Sequence, residues 1–154
     1  MTKILFVCHG NICRSPMAEF VMKKLVADAG LKDSFYIASA ATSREELGNP
    51  VYPPARRKLA EHGISCAGKT AVQITRADYD RYDLIVIMDA NNRRNIARII
   101  PDDPGGKIHM LMEYAGKDRG VADPWYTGDF EQTWLDVSEG CSALLKRLTK
   151  YSHK

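Results

Sequence analysis

Long apolar runs, a disulfide pattern of cysteines and a concentration of charge are all missing from this sequence. No stretch approaches the roughly 20 apolar residues of a membrane-spanning helix, and the run at residues 4–7 is too short for a secretory signal. The four cysteines, spread over 154 residues, lack the density of a disulfide framework. We therefore expect a cytoplasmic protein with reduced thiols and no membrane partner.

The net charge is too small to indicate a nucleic-acid partner. The formal net charge is +3 at pH 7, and the basic residues form no tail. The clusters at 56–58 and 93–94 lie in helix-like stretches, which is typical of solvated helix faces. A length of 154 residues fits one ordinary domain, so we expect a single domain over residues 1–154.

What the sequence does contain is an alternation of apolar strands and helix-like segments. The predicted strands are at residues 3–7, 35–40, 83–89 and 107–112. Helical spacing follows each of them, and the first helix is predicted to have Ser15 as its N-cap and Pro16 in its first turn. This order predicts an α/β fold: a four-stranded parallel sheet with helices on both faces.

The polar segment CHGNICRS, between the first strand and the first helix, is the strongest candidate site. Ligands of parallel sheets bind beyond the carboxyl ends of the strands. Successive backbone amides at a helix N-terminus form a nest for anions, and Arg14 adds a planar fork suited to two phosphate oxygens. We therefore predict a phosphate-binding loop after the first strand. Its residues are His9, Gly10, Asn11, Ile12, Cys13, Arg14 and Ser15.

Cys8 stands at the beginning of this loop, where its thiol would lie beneath a bound phosphate. The loop amides and Arg14 favour the thiolate form of Cys8, and Ser15 is placed to donate a hydrogen bond to its sulfur. A thiolate beneath a tetrahedral dianion predicts attack at phosphorus. No metal ion or other cofactor is expected, because Arg14 and the amides already neutralise the phosphate.

The string CHGNICRS, in this position, resembles the signature loop of the low-molecular-weight protein tyrosine phosphatases. The resemblance extends over essentially the whole chain, through SAATS at 39–43, GNPV at 48–51, MDANN at 88–92 and DPWYTG at 123–128. It implies an enzyme that hydrolyses phosphotyrosine and aryl phosphate monoesters through a cysteinyl-phosphate intermediate. Its substrate would be a phosphotyrosine-containing protein or peptide.

The DPWYTG motif near the C-terminal end matches the family's DP motif, whose aspartate protonates the leaving oxygen. The resemblance implies that Asp123 is the general acid, which then activates the hydrolytic water as a carboxylate. Trp125 and Tyr126 match the aromatic pair that flanks the phosphotyrosine ring, and Ile12 offers an apolar wall to the same ring. Tyr126 and Tyr114 are also candidates for regulatory phosphorylation.

The resemblance also implies roles for residues that support the loop. Asn11, Ser15 and Ser39 match the polar network that holds the loop in shape. Cys13 matches a second loop cysteine that can form a disulfide with the nucleophile and so protect it from irreversible oxidation.

One part of the rim departs from the family pattern. Glu45 stands where many members place an aromatic residue, within a charged segment at 44–46. We expect this charge to weaken the binding of acidic phosphopeptides. Cys66 and Cys141 are interpreted as structural thiols.

Two related chemistries share this loop. Protein arginine phosphatases resemble the chain strongly but typically carry threonine at the position of Ile12, so phosphotyrosine is preferred and phosphoarginine is the alternative substrate. Thioredoxin-coupled arsenate reductases need a further cysteine pair near the middle of the chain, and the sequence has none between Cys66 and Cys141.

A competing motif of another class is GISCAGKT at 63–70, which fits the phosphate loop of nucleotide hydrolases. Such a loop must leave a strand and open a helix. Here it follows the helix-like ARRKLAEH and enters AVQIT, which is typical of an extended segment. Part of the match arises because Lys69 stands where the family commonly has histidine. A nucleotide-binding NTPase is therefore a remote alternative.

Overall fold

The computed structural model describes residues 1–152, and at its centre is one parallel sheet. The strands are β1 (Thr2–Cys8), β2 (Phe35–Ala41), β3 (Leu84–Ile87) and β4 (Ile108–Met110). Their order is β2-β1-β3-β4, and each neighbouring pair is parallel. The predicted four-stranded parallel sheet is confirmed.

Seven α-helices and one short 3-10 helix, Lys32–Ser34, connect and cover these strands within the described residues. The α-helices are α1 (Arg14–Asp28), α2 (Pro53–Glu61), α3 (Asp78–Arg81), α4 (Ala90–Ile96), α5 (Leu111–Tyr114), α6 (Pro124–Thr127) and α7 (Phe130–Ser152). No helix within residues 1–152 is long and apolar enough to cross a lipid bilayer.

The sheet buries both of its faces, because successive side chains of a strand point to opposite sides. Ile4 and Phe6 of β1 pack into a core with α1, α2, α5 and α7. Leu5 and Val7 pack on the other side, in a core that includes residues of α3 and α4. Helices therefore lie on both faces, as predicted. β1 is a central strand, and this places the loop after it in the middle of the sheet's carboxyl edge.

Several boundaries differ from the sequence prediction: the third strand is Leu84–Ile87, shorter than the predicted 83–89. α1 begins at Arg14 with Cys13 at its N-cap and no side-chain cap, so the prediction of Ser15 as the N-cap is wrong. Ser15 lies inside the first turn, where its hydroxyl contacts Cys8 and Asn11 instead.

The last strand is shorter than the predicted segment 107–112. It stops at Met110, because α5 begins at Leu111. Leu111 and Met112 are fully buried in the core that α7 completes. Their apolar character therefore reflects helix packing and not strand pairing.

Candidate active site

Asn11 sets the shape of the loop between β1 and α1. Its φ of +58° lies in the left-handed region, which asparagine tolerates better than most residues. Its side-chain amide donates hydrogen bonds to the Oγ atoms of Ser15 and Ser39, at 2.7 and 2.9 Å. Its Oδ1 accepts a bond from the backbone N–H of Val72 at 3.2 Å. Both ends of the amide are therefore held, and the turn is held with them.

The hydroxyl of Ser15 links this network to Cys8. The Sγ of Cys8 lies 3.0 Å from the Oγ of Ser15, and the thiol is only 3% exposed. An amide NH₂ group can only donate, so Ser15 accepts from Asn11 and keeps its own proton to donate. That proton has Cys8 Sγ at 3.0 Å and the carbonyl of Ala40 at the longer distance of 3.5 Å. The arrangement favours a hydrogen bond to a sulfur anion.

Beneath the loop, the network ends on a buried carboxylate that the sequence analysis missed. Ser39 donates to Oε1 of Glu19 at 2.5 Å, and Lys23 donates to its Oε2 at 2.6 Å. Ser15, Glu19 and Lys23 are spaced four residues apart, so they share one face of α1. This spacing is a signal in the sequence that could identify Glu19 as a member of the network supporting the loop.

Lys69, the lysine of the nucleotide-loop motif, belongs to the same buried network. It donates to the carbonyl of Ser39 at 2.9 Å and lies 3.7 Å from Glu19. Burial lowers the pKa of Lys69. The motif at 63–70 follows α2 and opens no helix, so the geometry of a nucleotide-binding loop is absent from these residues.

Arg14 lies at the end of the loop with its side chain only 2% exposed. Its Nη1 donates to Oδ2 of Asp89 at 2.6 Å and to the carbonyl of Val121 at 2.8 Å, and Nη2 lies 3.5 Å from Asp123 Oδ2. Burial alone lowers its pKa, but the negative charges of Cys8, Asp89 and Asp123 outweigh it and raise the pKa of Arg14 above its usual value. The guanidinium therefore stays charged and fixed in direction.

Asp123 is the N-cap of the short helix α6. Its Oδ1 accepts from the backbone N–H of Trp125 at 3.1 Å, and Gly128, with φ of +72°, ends the helix in the left-handed region. Trp125 and Tyr126 are 53% and 84% exposed. The cap leaves Oδ2 of Asp123 facing Arg14.

These groups surround one cleft of about 550 Å³, its open mouth included. Of the predicted site residues, the cleft brings together the predicted nucleophile Cys8, the predicted phosphate-binding Arg14 and the predicted general acid Asp123, with most of the loop and the rim. Its lining is Cys8, His9, Gly10, Ile12, Cys13, Arg14, Glu45, Glu46, Asp123, Trp125 and Tyr126. Asn11, Ser15 and Ser39 are buried and do not line the cleft.

The rim of the cleft is charged on one side. His9 and Glu45 are joined by a contact of 2.9 Å between Nε2 and Oε2. Glu46 accepts a hydrogen bond from Asn49 at 2.6 Å. The loop carrying these glutamates is also tied to the phosphate loop, because Ser43 N–H and Oγ both donate to the carbonyl of His9.

The remaining cysteines and Tyr114 lie away from the cleft lining. Cys66 and Cys141 are buried unpaired thiols, and burial raises the pKa of each. Burial also raises the pKa of Tyr114 to about 12. Within the described part of the chain, no group of three or more His, Cys, Asp or Glu side chains is arranged to hold a metal ion.

A buried thiol and a buried guanidinium at the two ends of a loop that opens a helix define a phosphate-handling enzyme on an α/β sheet. A family model described as low molecular weight phosphotyrosine protein phosphatase matches residues 3–154, and the chain belongs to this family. It is a protein tyrosine phosphatase, and therefore a phosphoric monoester hydrolase.

Relatives of known name agree with this assignment. The low molecular weight phosphotyrosine protein phosphatase of Rattus norvegicus is 40% identical over 94% of each chain. The crystal structure of YfkJ from Bacillus subtilis superposes with a TM-score of 0.93 at 37% identity, covering 98% of this chain and 96% of that one. A structure named as a Drosophila arginine phosphatase is also similar, with a TM-score of 0.85 and 31% identity over 96% of this chain and 98% of that one.

Proposed function

We propose that the enzyme transfers the phosphoryl group of phosphotyrosine to Cys8 and then hydrolyses the cysteinyl phosphate. The Sγ of Cys8 attacks phosphorus, and the bond to the tyrosine oxygen breaks. Backbone amides of residues 9–15 and the guanidinium of Arg14 hold the phosphate oxygens and stabilise the charge of the transition state. The observation that carries this proposal is that Cys8, Arg14 and Asp123 line one cleft.

Asp123 serves both steps of this reaction. As an acid it protonates the leaving oxygen, and as the resulting carboxylate it removes a proton from the water that attacks the cysteinyl phosphate. Its position supports this role, because its side chain is partly exposed at the cleft and 3.5 Å from Arg14. The neighbouring cation holds the carboxylate beside the phosphate site.

The substrate we propose is a phosphotyrosine-containing protein or peptide. The side chains of Ile12, Trp125 and Tyr126 supply apolar and aromatic surface at the mouth of the cleft, which suits a phenyl ring. Phosphoarginine is the second candidate, because one similar structure is named as an arginine phosphatase. A guanidinium-linked phosphate gains less from an apolar wall at Ile12, so we favour phosphotyrosine.

The test is phosphate release in the presence of EDTA from a phosphotyrosine peptide and a phosphoarginine peptide of otherwise identical sequence. Cys8→Ser is the control. We expect turnover of the phosphotyrosine peptide that is lost in Cys8→Ser. Turnover of phosphoarginine alone would reverse the substrate assignment and leave the loop chemistry intact. Activity that persists in Cys8→Ser would overturn the covalent mechanism.

We also propose that the enzyme works in the cytoplasm, without a nucleic-acid or membrane partner. The unpaired state of all four cysteines supports a reducing compartment. Fractionation of the source cells, followed by immunoblotting, tests the location; recovery in the medium or in the membrane fraction would contradict it.

A further inference from the structure

Tyr52 lies behind the wall of the cleft and touches both the phosphate loop and the segment that carries Asp123. Its backbone N–H donates to the carbonyl of Ile12 at 2.8 Å. Its ring contacts the indole of Trp125 with centroids 4.9 Å apart and planes inclined by 54°. The centroid of the Phe130 ring lies 6.1 Å from that of Tyr52. Tyr52 does not itself line the cleft.

The position of Tyr52 is rigidly fixed by its neighbours in the chain. Val51 before it is buried at 2% exposure. Pro53 and Pro54 after it form the first turn of α2, for which Tyr52 is the N-cap. Each proline ring fixes its own φ, and the residue before a proline is restricted as well. The restricted backbone limits the movement of the Tyr52 ring, so this ring can hold the indole of Trp125 in place.

Trp125 needs such a support, because more than half of it is exposed. Its backbone N–H makes the 3.1 Å hydrogen bond that holds Oδ1 of Asp123. A single residue therefore receives the ring contact from Tyr52 through its side chain and orients Asp123 through its backbone. A shift of the Trp125 backbone after loss of the ring contact would therefore also move the donor that orients the carboxylate.

We propose that Tyr52 is a positioning residue for proton transfer by Asp123. Its ring fixes Trp125, and through the Trp125 N–H it fixes the direction in which Asp123 presents its acid to the leaving oxygen. This inference rests on the proposed role of Asp123 as the general acid. Tyr52, the N-cap of α2, would thus influence catalysis although it lies outside the cleft lining.

The consequence is a dependence on the leaving group. Protonation matters most when the departing phenoxide is a strong base and least when it is a weak one. The value of kcat/KM for phenyl phosphate should therefore depend on Tyr52 more than that for p-nitrophenyl phosphate, whose phenol is more acidic. General acid catalysis contributes about 10²–10⁴-fold. If Asp123 is less well oriented, part of this acceleration is lost, and kcat/KM for phenyl phosphate should fall roughly tenfold.

The experiment compares Tyr52→Ala, Tyr52→Leu and Tyr52→Phe on both substrates. We expect the ratio of kcat/KM for p-nitrophenyl phosphate over phenyl phosphate to rise about tenfold in the first two variants, and to stay at the wild-type value in Tyr52→Phe. Tyr36→Ala is a matched control, because Tyr36 is a half-exposed ring that packs on Tyr82 and lies outside the cleft lining. An unchanged ratio in Tyr52→Ala and Tyr52→Leu would overturn the proposal.

Two further measurements separate this inference from the function on which it rests. The rate at which iodoacetate alkylates Cys8 should be unchanged in Tyr52→Leu, and a large change would assign the effect to the phosphate loop instead. Asp123→Asn should raise the substrate ratio by itself, and Tyr52→Leu added to it should raise the ratio no further. If the substrate ratio in Asp123→Asn equals that of wild type, the role of Asp123 as the general acid is wrong. If the ratio rises in Asp123→Asn but not in Tyr52→Leu, only the proposed role of Tyr52 is wrong.

Discussion

Arg14 and Asp89 form an ion pair in which Nη1 and Oδ2 are 2.6 Å apart, and this pair joins the start of α1 to the N-cap of α4. The other oxygen of Asp89 accepts from the backbone N–H of Asn92 at 2.8 Å and caps α4. Arg14 is therefore oriented by a residue that is itself fixed. A charge oriented before the substrate arrives stabilises a transition state without reorganisation.

Replacement of Arg14 by lysine should abolish most of the activity. Lysine keeps the charge but not the planar fork, which contacts Asp89 and Val121 and, in the proposed mechanism, the phosphate oxygens. We expect kcat to fall by about 10²–10³-fold. Asp89→Asn loses the charge and keeps a single acceptor oxygen, which can serve either Arg14 or the N–H of Asn92. Because Arg14 itself remains, the decrease should be smaller, roughly tenfold. Steady-state kinetics on p-nitrophenyl phosphate measures both decreases, and near-normal kcat in Arg14→Lys would exclude the proposed role of Arg14 in holding the phosphate.

Removal of the Ser39 hydroxyl should cost stability and activity together. Ser39→Ala leaves the amide of Asn11 without one acceptor and the carboxylate of Glu19 without one donor. Unpaired buried polar groups cost about 1–3 kcal/mol each, and a looser Asn11 should also lower kcat. Urea unfolding and kinetics on the same preparation measure the two effects.

A second serine supplies the control for that experiment. The Oγ of Ser138 is buried and has no hydrogen-bond partner within the described residues. Ser138→Ala therefore removes no bond, and its free energy of unfolding should stay within about 0.5 kcal/mol of wild type. Equal losses in Ser39→Ala and Ser138→Ala would mean that the network beneath the loop contributes nothing.

The parts of the fold and site that follow from the sequence are the local ones. Cys8 and Arg14 are six positions apart, so a strand, a turn and a helix start place them together whatever the rest of the chain does. The apolar runs at 3–7 and 35–40 likewise predict β1 and β2, because strands buried on both faces leave few polar positions.

The rest depends on contacts between distant parts of the chain. Glu19 meets Lys69, and Tyr52 meets Trp125, only because β1 lies between β2 and β3 and brings their loops to one edge. Lys69 matches a nucleotide-loop motif by spacing alone, and a spacing rule cannot show that its side chain donates to the carbonyl of Ser39. The sequence predicts Leu111 in a strand, because a short apolar run is equally compatible with a strand and with a buried helix.

The charged rim should make the enzyme prefer basic phosphopeptides. Glu45, Glu46 and Asp123 line the cleft, and the Nε2 of His9 contacts Glu45 on the rim at 2.9 Å. We expect kcat/KM for a phosphotyrosine peptide flanked by lysines to exceed that for a glutamate-flanked peptide by about two- to fivefold at low salt, and less at high salt.

The double variant Glu45→Gln, Glu46→Gln isolates the contribution of these charges. It should reduce the peptide preference and leave p-nitrophenyl phosphate turnover close to wild type, because that substrate has no flanking residues. Equal kcat/KM for acidic and basic peptides in the wild-type enzyme would refute the prediction.

Cys13 should be inert to alkylation near neutral pH and yet able to close a disulfide. Burial, with the negative charges of Cys8 and Asp123, raises the pKa of Cys13 to about 12. A raised pKa means that the thiol stays protonated at all pH values well below it, and a protonated thiol is a poor nucleophile. Iodoacetate should therefore label Cys8 in preference to Cys13.

Peroxide tests the second property of Cys13. Oxidation of Cys8 to the sulfenic acid, followed by condensation with the Cys13 thiol and loss of water, yields the disulfide. Peptide mapping should then show a Cys8–Cys13 bond, and thiols should restore activity. Irreversible loss of activity without this disulfide would rule out Cys13 as the protecting residue.

Two glycines distinguish damage to the site from damage to the core. A Cβ at Gly120 would lie 2.7 Å from the carbonyl oxygen of Met88, in the segment where Val121 accepts a bond from Arg14. Because backbone must move to relieve this contact, Gly120→Ala should displace Val121 and lower kcat as well as stability.

Gly140→Ala should instead lower stability alone. A Cβ at Gly140 would lie 2.5 Å from Cγ of Leu111, where α7 packs on α5 away from the cleft. Overpacking of a filled core costs about 1–3 kcal/mol, and the melting temperature should fall in both variants. Only Gly120→Ala should lose kcat, measured well below its melting temperature. If Gly140→Ala lost kcat to the same extent, the segment at 120–121 would have no special part in holding Arg14.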